Sequence, residues 1–437
     1  MFDFFSSPDK KARARAQHWL ELARKVWDYR RDVLAPAESE ELRRGEAELS
    51  RLVKDRAVSA RLEVATQALE AVLKRTGGAY YPRGALAENV EFLLVATFVI
   101  RSFSIYFVQP MVIPTNSMWP TYYGMTAENF PPGGAAPGAL ARIGRLAAFG
   151  AVRKEVDAPV SGDVSLPLLV DQTGQPHLIP SAAMGRKWLV IPEKVSEYTI
   201  FVNDVPARVR VPEDFHDFDK VALATFFPPG HPFAEQWEKA RLGGRLRQVE
   251  AKGSKGGSFY VYLLPLDLHV NAGDPLLRFD ILKGDMVFVD RVTFNFRRPW
   301  VGTAFVFETG DIPGILREGI PDEYIIKRLA GLPGDTLNIV PPVLYRNGKP
   351  IEGAKAFDEN ARQVDSYNGY LNAPPGPERY LRPGVPATVP PHSFMGLGDN
   401  SPISEDGRYW GFVPEKDVIG RPIFIYYPFT RRWASAR

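Results

Sequence analysis

The chain has 437 residues, of which 45% are apolar and 24% charged, a balance typical of folded proteins and unlike that of disordered or collagen-like chains. The 54 Lys and Arg residues nearly cancel the 51 Asp and Glu residues, so the net charge of +3 does not indicate nucleic-acid binding through a bulk positive field. The sequence contains no cysteine, which excludes disulfides, zinc–cysteine sites, iron–sulfur clusters and cysteine nucleophiles.

Residues 1–75 have few helix breakers and a helical spacing of apolar side chains. Apolar residues recur every three or four positions in two groups: Trp19, Leu22, Val26, Tyr29 and Val33, then Leu62, Ala65, Leu69 and Val72. The spacing predicts two helices, over about 10–35 and 39–75, with Ser39 as the N-cap of the second. We therefore expect a cytoplasmic helical hairpin over residues 1–85 with solvated outer faces; a coiled coil that docks a partner is the alternative.

Residues 89–110 read NVEFLLVATFVIRSFSIYFVQP and form the most apolar stretch of the chain. A membrane-spanning helix takes about 20 apolar residues, and the single charge within residues 92–109, Arg101, disfavours insertion by about 3 kcal/mol. Hydropathy alone leaves a membrane span and a buried core helix open. The flanks favour a span, because 17 Lys and Arg precede residue 92 and none lies between Arg101 and Arg142. That asymmetry predicts one uncleaved anchor over 86–109, with a cytoplasmic N-terminus.

The rest of the chain is rich in β-branched and aromatic runs that are separated by Gly, Pro and Asn-Gly. Examples are EYTIFVNDVPARVRV at 197–211, GDMVFVDRV at 284–292 and PIFIYYPF at 422–429. Such runs predict short strands. We therefore expect the C-terminal three quarters of the chain to be mainly β.

Ser117 lies in the segment IPTNSMWPT, where Pro114 and Pro120 prevent a regular helix. A serine between prolines is usually structural, and it becomes a nucleophile only if a base takes its proton. The six histidines show no arrangement that suggests a Ser/His/Asp triad, although the sequence does not exclude one, and Pro120 occupies the lysine position of a Ser-x-x-Lys pair. The other possible base is a lysine whose amine is held neutral.

Lys327 is the best candidate for that base. In the predicted strand EYIIKRLAGLPGD, alternation places Lys327 on one face with Ile325 and Leu329. Poor solvation there favours the neutral amine over the ammonium, which lowers the lysine pKa. The alternative is an ordinary strand lysine whose stem is buried and whose amine reaches water.

A third stretch, GLGDNSPISEDGRYWGFVP at 396–414, combines turn residues with hydroxyl, carboxylate and guanidinium groups. If the segment after the turn is extended, Ser404, Asp406 and Arg408 share one face, and an ion pair lies beside a hydroxyl. A surface hairpin is the alternative interpretation of this stretch alone.

Taken together and in this order, these motifs resemble bacterial type I signal peptidase (leader peptidase), a membrane-anchored serine endopeptidase with a Ser/Lys dyad. The matching motifs are the apolar segment ending in IPTNSMWPT, then GDMVFV, YIIKRLAGLPGD, NGKP and GDNSPISEDGRYWGFVPEKDVIGRP. They cover about 86–121 and 280–428. The resemblance implies a signal-peptidase-type β fold for the catalytic region, an acyl-enzyme mechanism, no metal and no cofactor.

The resemblance also implies roles for individual residues. Ser117 corresponds to the nucleophile and Lys327 to the general base, while the hydroxyl of Thr115 and the backbone N–H of Ser117 correspond to the oxyanion donors. The remaining matches are supporting residues and pocket-lining residues for small side chains at substrate positions −1 and −3. The supporting residues are Ser404, Asp406, Arg408 and Arg328, and the pocket residues are Ile113, Met118 and Ile326.

Between Ser117 and residues 284–285 the chain carries about 150 extra residues, where the simplest family members have a short link. At two places, Gly302-Thr303 and Ser401-Pro402, the sequence departs from the usual residues of the family; both places lie outside the proposed chemistry. We therefore expect four parts: a cytoplasmic helical hairpin (1–85), a membrane anchor (86–109), a catalytic β domain (110–124 and 280–437) and an inserted β-rich lobe (125–279).

The implied function is removal of signal peptides from exported preproteins at the outer face of the bacterial inner membrane, by a single-pass protein that contacts the lipid bilayer and binds no nucleic acid. A non-catalytic, membrane-tethered scaffold that binds a partner through residues 125–279 is the alternative. A self-cleaving repressor-type Ser/Lys peptidase fits less well, because the chain has an apolar segment and no basic pair of DNA-reading helices.

Overall fold

The computed structural model describes residues 8–81, 85–130, 134, 136–170, 174–187, 191–227, 233–252, 258–315, 323–374, 376 and 379–436. The chain divides into two compact units, Met1–Ser102 and Phe103–Arg437. Each unit has its own buried cluster of apolar side chains.

The first unit is helical. It contains α1 (Pro8–Arg30), α2 (Pro36–Lys54), α3 (Ser59–Thr76) and most of α4 (Ala85–Tyr106). Apolar side chains from α1, α2 and α3 pack into one cluster, in which Ala16, Leu49 and Leu69 are fully buried. Amphipathic helices gain most of their stability from such packing rather than from intrinsic propensity.

The prediction of a two-helix hairpin was wrong, because the second helix ends at Lys54 and a third begins at Ser59. Arg56 adopts a left-handed conformation (φ 51°), and the Ala57 N–H donates to the Leu52 carbonyl over 3.0 Å. This arrangement caps a helix end in the way that glycine commonly does, but the sequence there has neither Gly nor Pro. Ser39 is not the N-cap either: Ala35 is, and its N–H donates to the Glu38 carboxylate over 3.1 Å.

Helix α4 carries the apolar segment. Its residues Asn89–Tyr106 have a mean hydropathy of 1.4, and none of them is buried in the protein. By length and composition the helix is able to cross a membrane. Because large side chains such as Phe92 and Phe98 are exposed, the alternative of a buried core helix is wrong.

The second unit is mainly β, as predicted. Its strands before the middle of the chain are β1 (Val108–Val112), β2 (Thr126–Asn129), β3 (Val152–Asp157), β4 (Gly162–Val170), β5 (Pro176–Leu178), β6 (Ser181–Lys187), β7 (Ile191–Val202) and β8 (Val205–Pro212). They are followed by β9 (Arg247–Lys252), β10 (Ser258–Val270), β11 (Pro275–Leu282), β12 (Met286–Asp290), β13 (Ala304–Glu308), β14 (Tyr324–Gly331), β15 (Thr336–Val340) and β16 (Val343–Arg346). The last are β17 (Lys349–Pro350), β18 (Ala387–Thr388), β19 (Ser393–Leu397), β20 (Val413–Pro414), β21 (Val418–Tyr427) and β22 (Ala434–Ser435).

Six helices accompany these strands in the described residues: α5 (Ala139–Phe149), α6 (Phe218–Phe226), α7 (Phe233–Leu242), α8 (Thr293–Phe296), α9 (Lys355–Arg362) and α10 (Gly407–Trp410). Two short 3-10 helices, Asn116–Met118 and Glu415–Asp417, complete the set.

One sheet has the strand order β1-β12-β21-β13-β14-β19-β20, with β22 beside β21, and a smaller sheet has the order β17-β16-β15-β18. In the larger sheet β1 is an edge strand, and β19 pairs with β14 only from Arg328 onward. The apolar faces of these strands are buried, for example at Val287, Phe305 and Leu329. Residues 108–112 and 324–327 therefore keep an edge without a neighbouring strand in the described pairings.

A second large sheet lies between residues 162 and 270, with the order β6-β7-β4-β10-β9 and with β5 and β8 added to β4 and β7. Helices α6 and α7 pack on it through Phe218 and Trp237. The smaller sheet β2-β11-β3 joins this region to the rest of the unit. Because Thr126 pairs with Leu282, the chain leaves and returns at neighbouring points.

Candidate active site

A cleft of about 940 Å³ brings together residues that are far apart in the sequence. Strand β1, the loop after it and the first half of β14 line this cleft, and the segment 214–220 closes it on another side. Thr115, Ser117 and Lys327 all face the cleft. Clefts of this size that hold a few convergent polar groups are the usual sites of ligand binding.

Ser117 lies in the short 3-10 helix Asn116–Met118, where the flanking prolines prevent a longer helix. The Ser117 carbonyl accepts a hydrogen bond from the Asn400 N–H over 3.0 Å. The Asn400 side chain also donates to the Asn116 carbonyl over 3.1 Å. The loop that carries Ser117 is thus held by residues from the 398–408 segment.

Thr115 lies two residues before Ser117, and its hydroxyl is 3.5 Å from the Ser117 Oγ. That distance is too long for a strong hydrogen bond, but it keeps the hydroxyl next to any atom bonded to Ser117 Oγ. The two hydroxyls are half-buried and face the same cleft.

Lys327 lies in β14 and is only 3% exposed, so the alternative of a lysine whose amine reaches water is wrong. Burial lowers the pKa of Lys327 to about 8, although the nearby Asp406 carboxylate acts in the opposite direction. The Nζ atom donates a hydrogen bond to the Ser404 Oγ over 3.1 Å. Near pH 8 the neutral amine and the ammonium form of this lysine are therefore present in comparable amounts.

Ser404, Asp406 and Arg408 lie close together, but the segment that carries them is not extended, so the condition under which alternation would place them on one face is not met. The Ser404 N–H donates to the Asn400 carbonyl over 3.0 Å in a turn, and Asp406 caps α10 by accepting from the Arg408 N–H. Asp and Asn residues commonly close turns and cap helices in this way, which competes with strand formation. The period-two alternation of residues gave no indication of these local hydrogen bonds.

Asp406 and Arg408 form a fully buried ion pair with two contacts, Nε to Oδ1 over 2.8 Å and Nη2 to Oδ2 over 3.0 Å. The same Nη2 atom donates to the Ser404 carbonyl over 3.1 Å. Asp406 Oδ2 also accepts from the Gly398 N–H over 2.9 Å. The pair thereby fixes the backbone of Ser404 and, through it, the hydroxyl that faces Lys327.

Arg328, the neighbour of Lys327, forms a second buried ion pair with Asp399. Its Nε and Nη2 atoms contact the two carboxylate oxygens over 2.7 and 2.6 Å. Nη2 also donates to the Thr121 hydroxyl over 3.3 Å, and that hydroxyl donates to Asp399. Sequence analysis missed Asp399 and Thr121, although the Gly-Asp-Asn turn was a visible signal.

The predicted pocket residues have different environments. Ile113 and Ile326 line the cleft. Met118 does not: it is completely buried, and it packs in the same apolar cluster as Tyr122 and Val287. Met118 is fully buried in this cluster and is not among the residues that line the cleft in the described structure, in contrast to the prediction.

Asn116 and Asp217 are site residues that sequence analysis missed. The Asn116 Nδ2 donates to Asp217 Oδ2 over 3.2 Å, and its Oδ1 accepts from the Gly124 N–H over 2.9 Å. Asp217 is the N-cap residue of α6 and also pairs with Lys220 over 2.8 Å. Because 101 positions separate Asn116 from Asp217, no spacing in the sequence indicated this contact.

Within the described ranges, no group of three or more His, Asp and Glu side chains is arranged to hold a metal ion. The polar side chains that line the cleft include hydroxyls and side-chain amides, the amines of Lys220 and Lys327, the imidazole of His216, and four carboxylates, those of Asp214, Asp217, Glu323 and Glu405.

Comparisons with known proteins point to one family. The family model "Signal peptidase, peptidase S26" matches residues 278–427, a range that includes Lys327 and Ser404 but not Ser117. A signal peptidase I of Leptolyngbya laminosa is 32% identical over 153 residues, which are 34% of this chain and 62% of that relative. Signal peptidase I S of Bacillus subtilis (strain 168) is 31% identical over 157 residues, 34% of this chain and 77% of that relative.

A signal peptidase I of Rickettsia typhi (strain ATCC VR-144 / Wilmington) is 30% identical over 183 residues, 35% of this chain and 69% of the relative. Among solved structures, a signal peptidase I of Enterococcus faecalis V583 is 28% identical and covers 29% of this chain and 97% of that chain, with a TM-score of 0.22. The chain spans less than two thirds of the Leptolyngbya relative, namely 62%.

Proposed function

The chain belongs to the signal peptidase I family, peptidase S26, and we propose that it is a membrane-bound serine endopeptidase that removes signal peptides from exported preproteins. The observation that carries this proposal is the cleft that contains both Ser117 and a buried Lys327 whose pKa is lowered to about 8. A lysine can act as a general base only when its amine is uncharged, and a lowered pKa favours that state.

In the proposed reaction, the neutral Lys327 amine donates one N–H to Ser404 Oγ and turns its lone pair toward the Ser117 hydroxyl. It takes the proton of that hydroxyl as Ser117 Oγ attacks the scissile carbonyl carbon. The resulting ammonium gives the proton to the leaving amine as the peptide bond breaks, which leaves an acyl-enzyme on Ser117. A water molecule, deprotonated by Lys327, then hydrolyses the ester and frees the serine.

The oxyanion of the tetrahedral intermediate would accept from the Ser117 N–H and from the Thr115 hydroxyl. Donors that are already oriented toward the developing charge contribute most to such reactions, and losing one typically costs on the order of 3 kcal/mol. The position of Thr115 in the same cleft, 3.5 Å from Ser117 Oγ, supports its assignment to this role.

The substrate would bind as an extended chain between two strand edges. Residues 108–112 and 324–327 both keep an edge without a neighbouring strand in the described pairings, and both line the cleft. Main-chain hydrogen bonds to such an edge give affinity, while pockets for alternate side chains give specificity. Ile113 and Ile326 would restrict positions −1 and −3 to small residues, as in an Ala-x-Ala site.

The four predicted parts fit this function. Residues 86–109 would form a single anchor in the bacterial inner membrane, residues 1–85 would lie in the cytoplasm, and the catalytic β domain (110–124 and 280–437) would lie on the outer side. Residues 125–279 would be an inserted β-rich lobe. The helix Asn89–Tyr106, with its fully unburied apolar surface, supports the anchor.

The test is incubation of the full, detergent-solubilised chain with a preprotein, followed by sequencing of the new N-terminus. We expect cleavage after an Ala-x-Ala-like site by the wild type, and none by Ser117→Ala or Lys327→Ala. Both variants should keep the wild-type circular dichroism spectrum. Normal cleavage by either variant would refute the dyad, and an inactive wild type that captures a partner through residues 125–279 would favour the scaffold alternative.

A further inference from the structure

Helix α5 (Ala139–Phe149) presents its polar side to the protein. The Arg145 side chain is only 20% exposed and forms ion pairs with Asp280, over 3.0 Å, and with Glu128. Asp280 is itself buried in β11. Arg142 lies three residues before Arg145, and it pairs with Glu155 over 3.8 Å. The basic residues of this helix therefore attach it to the β2-β11-β3 sheet.

The apolar side of α5 faces outward as a consequence. Leu140, Ile143 and Leu146 are 87%, 65% and 53% exposed, and the helix contains no buried residue. These positions follow a spacing of three, which places them on one stripe. A surface helix of a soluble protein normally has the opposite orientation, with its apolar stripe toward the core.

The exposed apolar surface continues at the C-terminal end of α5. The Tyr427 hydroxyl donates to the Leu146 carbonyl over 3.1 Å, and the Phe429 N–H donates to the Ala148 carbonyl over 3.0 Å. The Phe429 side chain is 60% exposed. In the same segment, Arg431 and Trp433 are also exposed. Aromatic and basic residues at the border of an apolar stripe are typical of helices at a membrane surface.

We propose that the outer stripe of α5, together with Phe429, is a membrane-contact surface that inserts into the headgroup region of the bilayer. The inference rests on the proposed function, in which α4 anchors the chain in a membrane. Strand β1 begins two residues after α4 ends, and Tyr427, which contacts α5, is level with Val112 at the other end of β1, because both pair with Met286. Four residues of strand, on the order of 13 Å, thus separate this surface from the end of α4 along the sheet. The bilayer is therefore within reach of this surface whenever the anchor is inserted.

The contact would also orient the active site. Arg432, in the segment that follows Phe429, pairs with the buried Asp285 over 2.8 Å. Asp285 in turn accepts from the Tyr123 N–H over 2.9 Å, in the loop that follows Ser117. Side-chain and backbone contacts thus join the membrane-contact surface to the loop of the nucleophile. A preprotein whose signal peptide is still in the bilayer would then meet the cleft at a set height.

The absence of native cysteine allows one probe to be placed at will. The full chain, as Ile143→Cys carrying an environment-sensitive NBD label, is reconstituted into vesicles of phosphatidylcholine and phosphatidylglycerol, with and without lipids that carry a quencher on the acyl chain. The matched control is Leu242→Cys, at the end of α7, where the leucine is 78% exposed. We expect a blue shift and strong quenching at 143 and neither at 242. The proposal would be overturned if the labels at 143 and 242 showed the same emission shift and the same quenching, whether both were strong or both were absent.

A second readout separates this surface from catalysis. We expect Leu140→Glu combined with Ile143→Glu to reduce preprotein processing in the same vesicles several-fold, while cleavage of a short soluble peptide in detergent stays at the wild-type rate. Leu242→Glu should change neither. If the double variant processes the preprotein in vesicles at the wild-type rate, the membrane contact is refuted. It is also refuted if the wild type self-associates and the double variant does not, because the stripe would then be an interface between two copies of the chain. Failure of the proposed function is distinguishable, because the wild type would then cleave neither substrate.

Discussion

The amine of Lys327 and the hydroxyl of Ser404 are joined by a 3.1 Å hydrogen bond in which the amine is the donor. Both residues are buried, and the backbone of Ser404 is held from two sides, by Asn400 and by Arg408. The direction of the lysine side chain is thus determined by a segment that follows it by more than 70 positions. Five predictions follow from this relationship and from the contacts around it.

The rate of cleavage should rise with pH through about 8. The base form of Lys327 is the neutral amine, whose fraction increases as pH passes its pKa of about 8. The pH profile of kcat/KM reports the pKa of the free enzyme's catalytic base. A profile measured from pH 5 to 10 with a short peptide substrate checks this, and a rate that is flat between pH 7 and 9 would contradict it.

Folding stability should also depend on Lys327 at alkaline pH. The pKa of its amine is about 8 in the folded chain against 10.5 for the unperturbed side chain, so between these values the unfolded state binds more protons. Stability therefore rises from pH 8 to pH 10.5, by about 3 kcal/mol at 1.36 kcal/mol per pKa unit. The measurement is urea unfolding of the wild type and of Lys327→Met, and only the wild type should gain this increment.

Replacing Ser404 by alanine should lower kcat with little change in KM. The variant removes the acceptor that orients the Lys327 amine, and losing a buried hydrogen-bond partner costs about 1–3 kcal/mol, so we expect kcat to fall by roughly tenfold or more. Ser393→Ala, at the start of β19, is the control and should leave both constants unchanged. An unaltered kcat in Ser404→Ala would exclude a positioning role.

Arg408→Ala should destabilise the fold by about 3–5 kcal/mol, because it leaves the buried Asp406 carboxylate without its partner. The matched control is Arg362→Ala, which breaks an exposed ion pair with Asp358 and should cost less than about 1 kcal/mol. Denaturant midpoints of the two variants provide the comparison. Similar midpoints would show that the buried pair contributes no more than a surface pair.

Asp217→Ala should reduce kcat about fivefold, since it removes a hydrogen bond of about 1 kcal/mol that restrains Asn116, the neighbour of Ser117. Asp217→Asn keeps an acceptor and should restore most of the rate. Lys220→Ala, which removes the other partner of Asp217, is the control for charge. If Asp217→Asn is as slow as Asp217→Ala, the acceptor is not what matters at this position.

The strands that carry the site were predictable where runs of β-branched and aromatic residues indicate a strand. Lys327 was predictable because it lies between apolar neighbours in a run of β-branched residues, and the structure has it in β14. The third N-terminal helix was not predictable, because Arg56 takes a left-handed conformation without the glycine that usually signals it.

The contacts around the site depend on tertiary structure and were largely invisible in the sequence. The turn and helix at 401–410 replaced a predicted extended segment, because Asp406 uses its side chain to cap α10. The contact between Asn116 and Asp217 joins two segments that no spacing relates. Local signals existed for two ion pairs: the Gly-Asp-Asn turn for Arg328–Asp399, and the short spacing for Asp406–Arg408.

The pairing of Thr126 with Leu282 has a consequence for changes of chain length. Since the two ends of the intervening 155 residues meet side by side, that stretch can be lengthened, shortened or exchanged without separating the loop of Ser117 from β14. A change in its length would then leave the loop of Ser117 and β14 in place, whereas a change at a position that contacts this loop, such as Asp217, would alter the surroundings of Ser117.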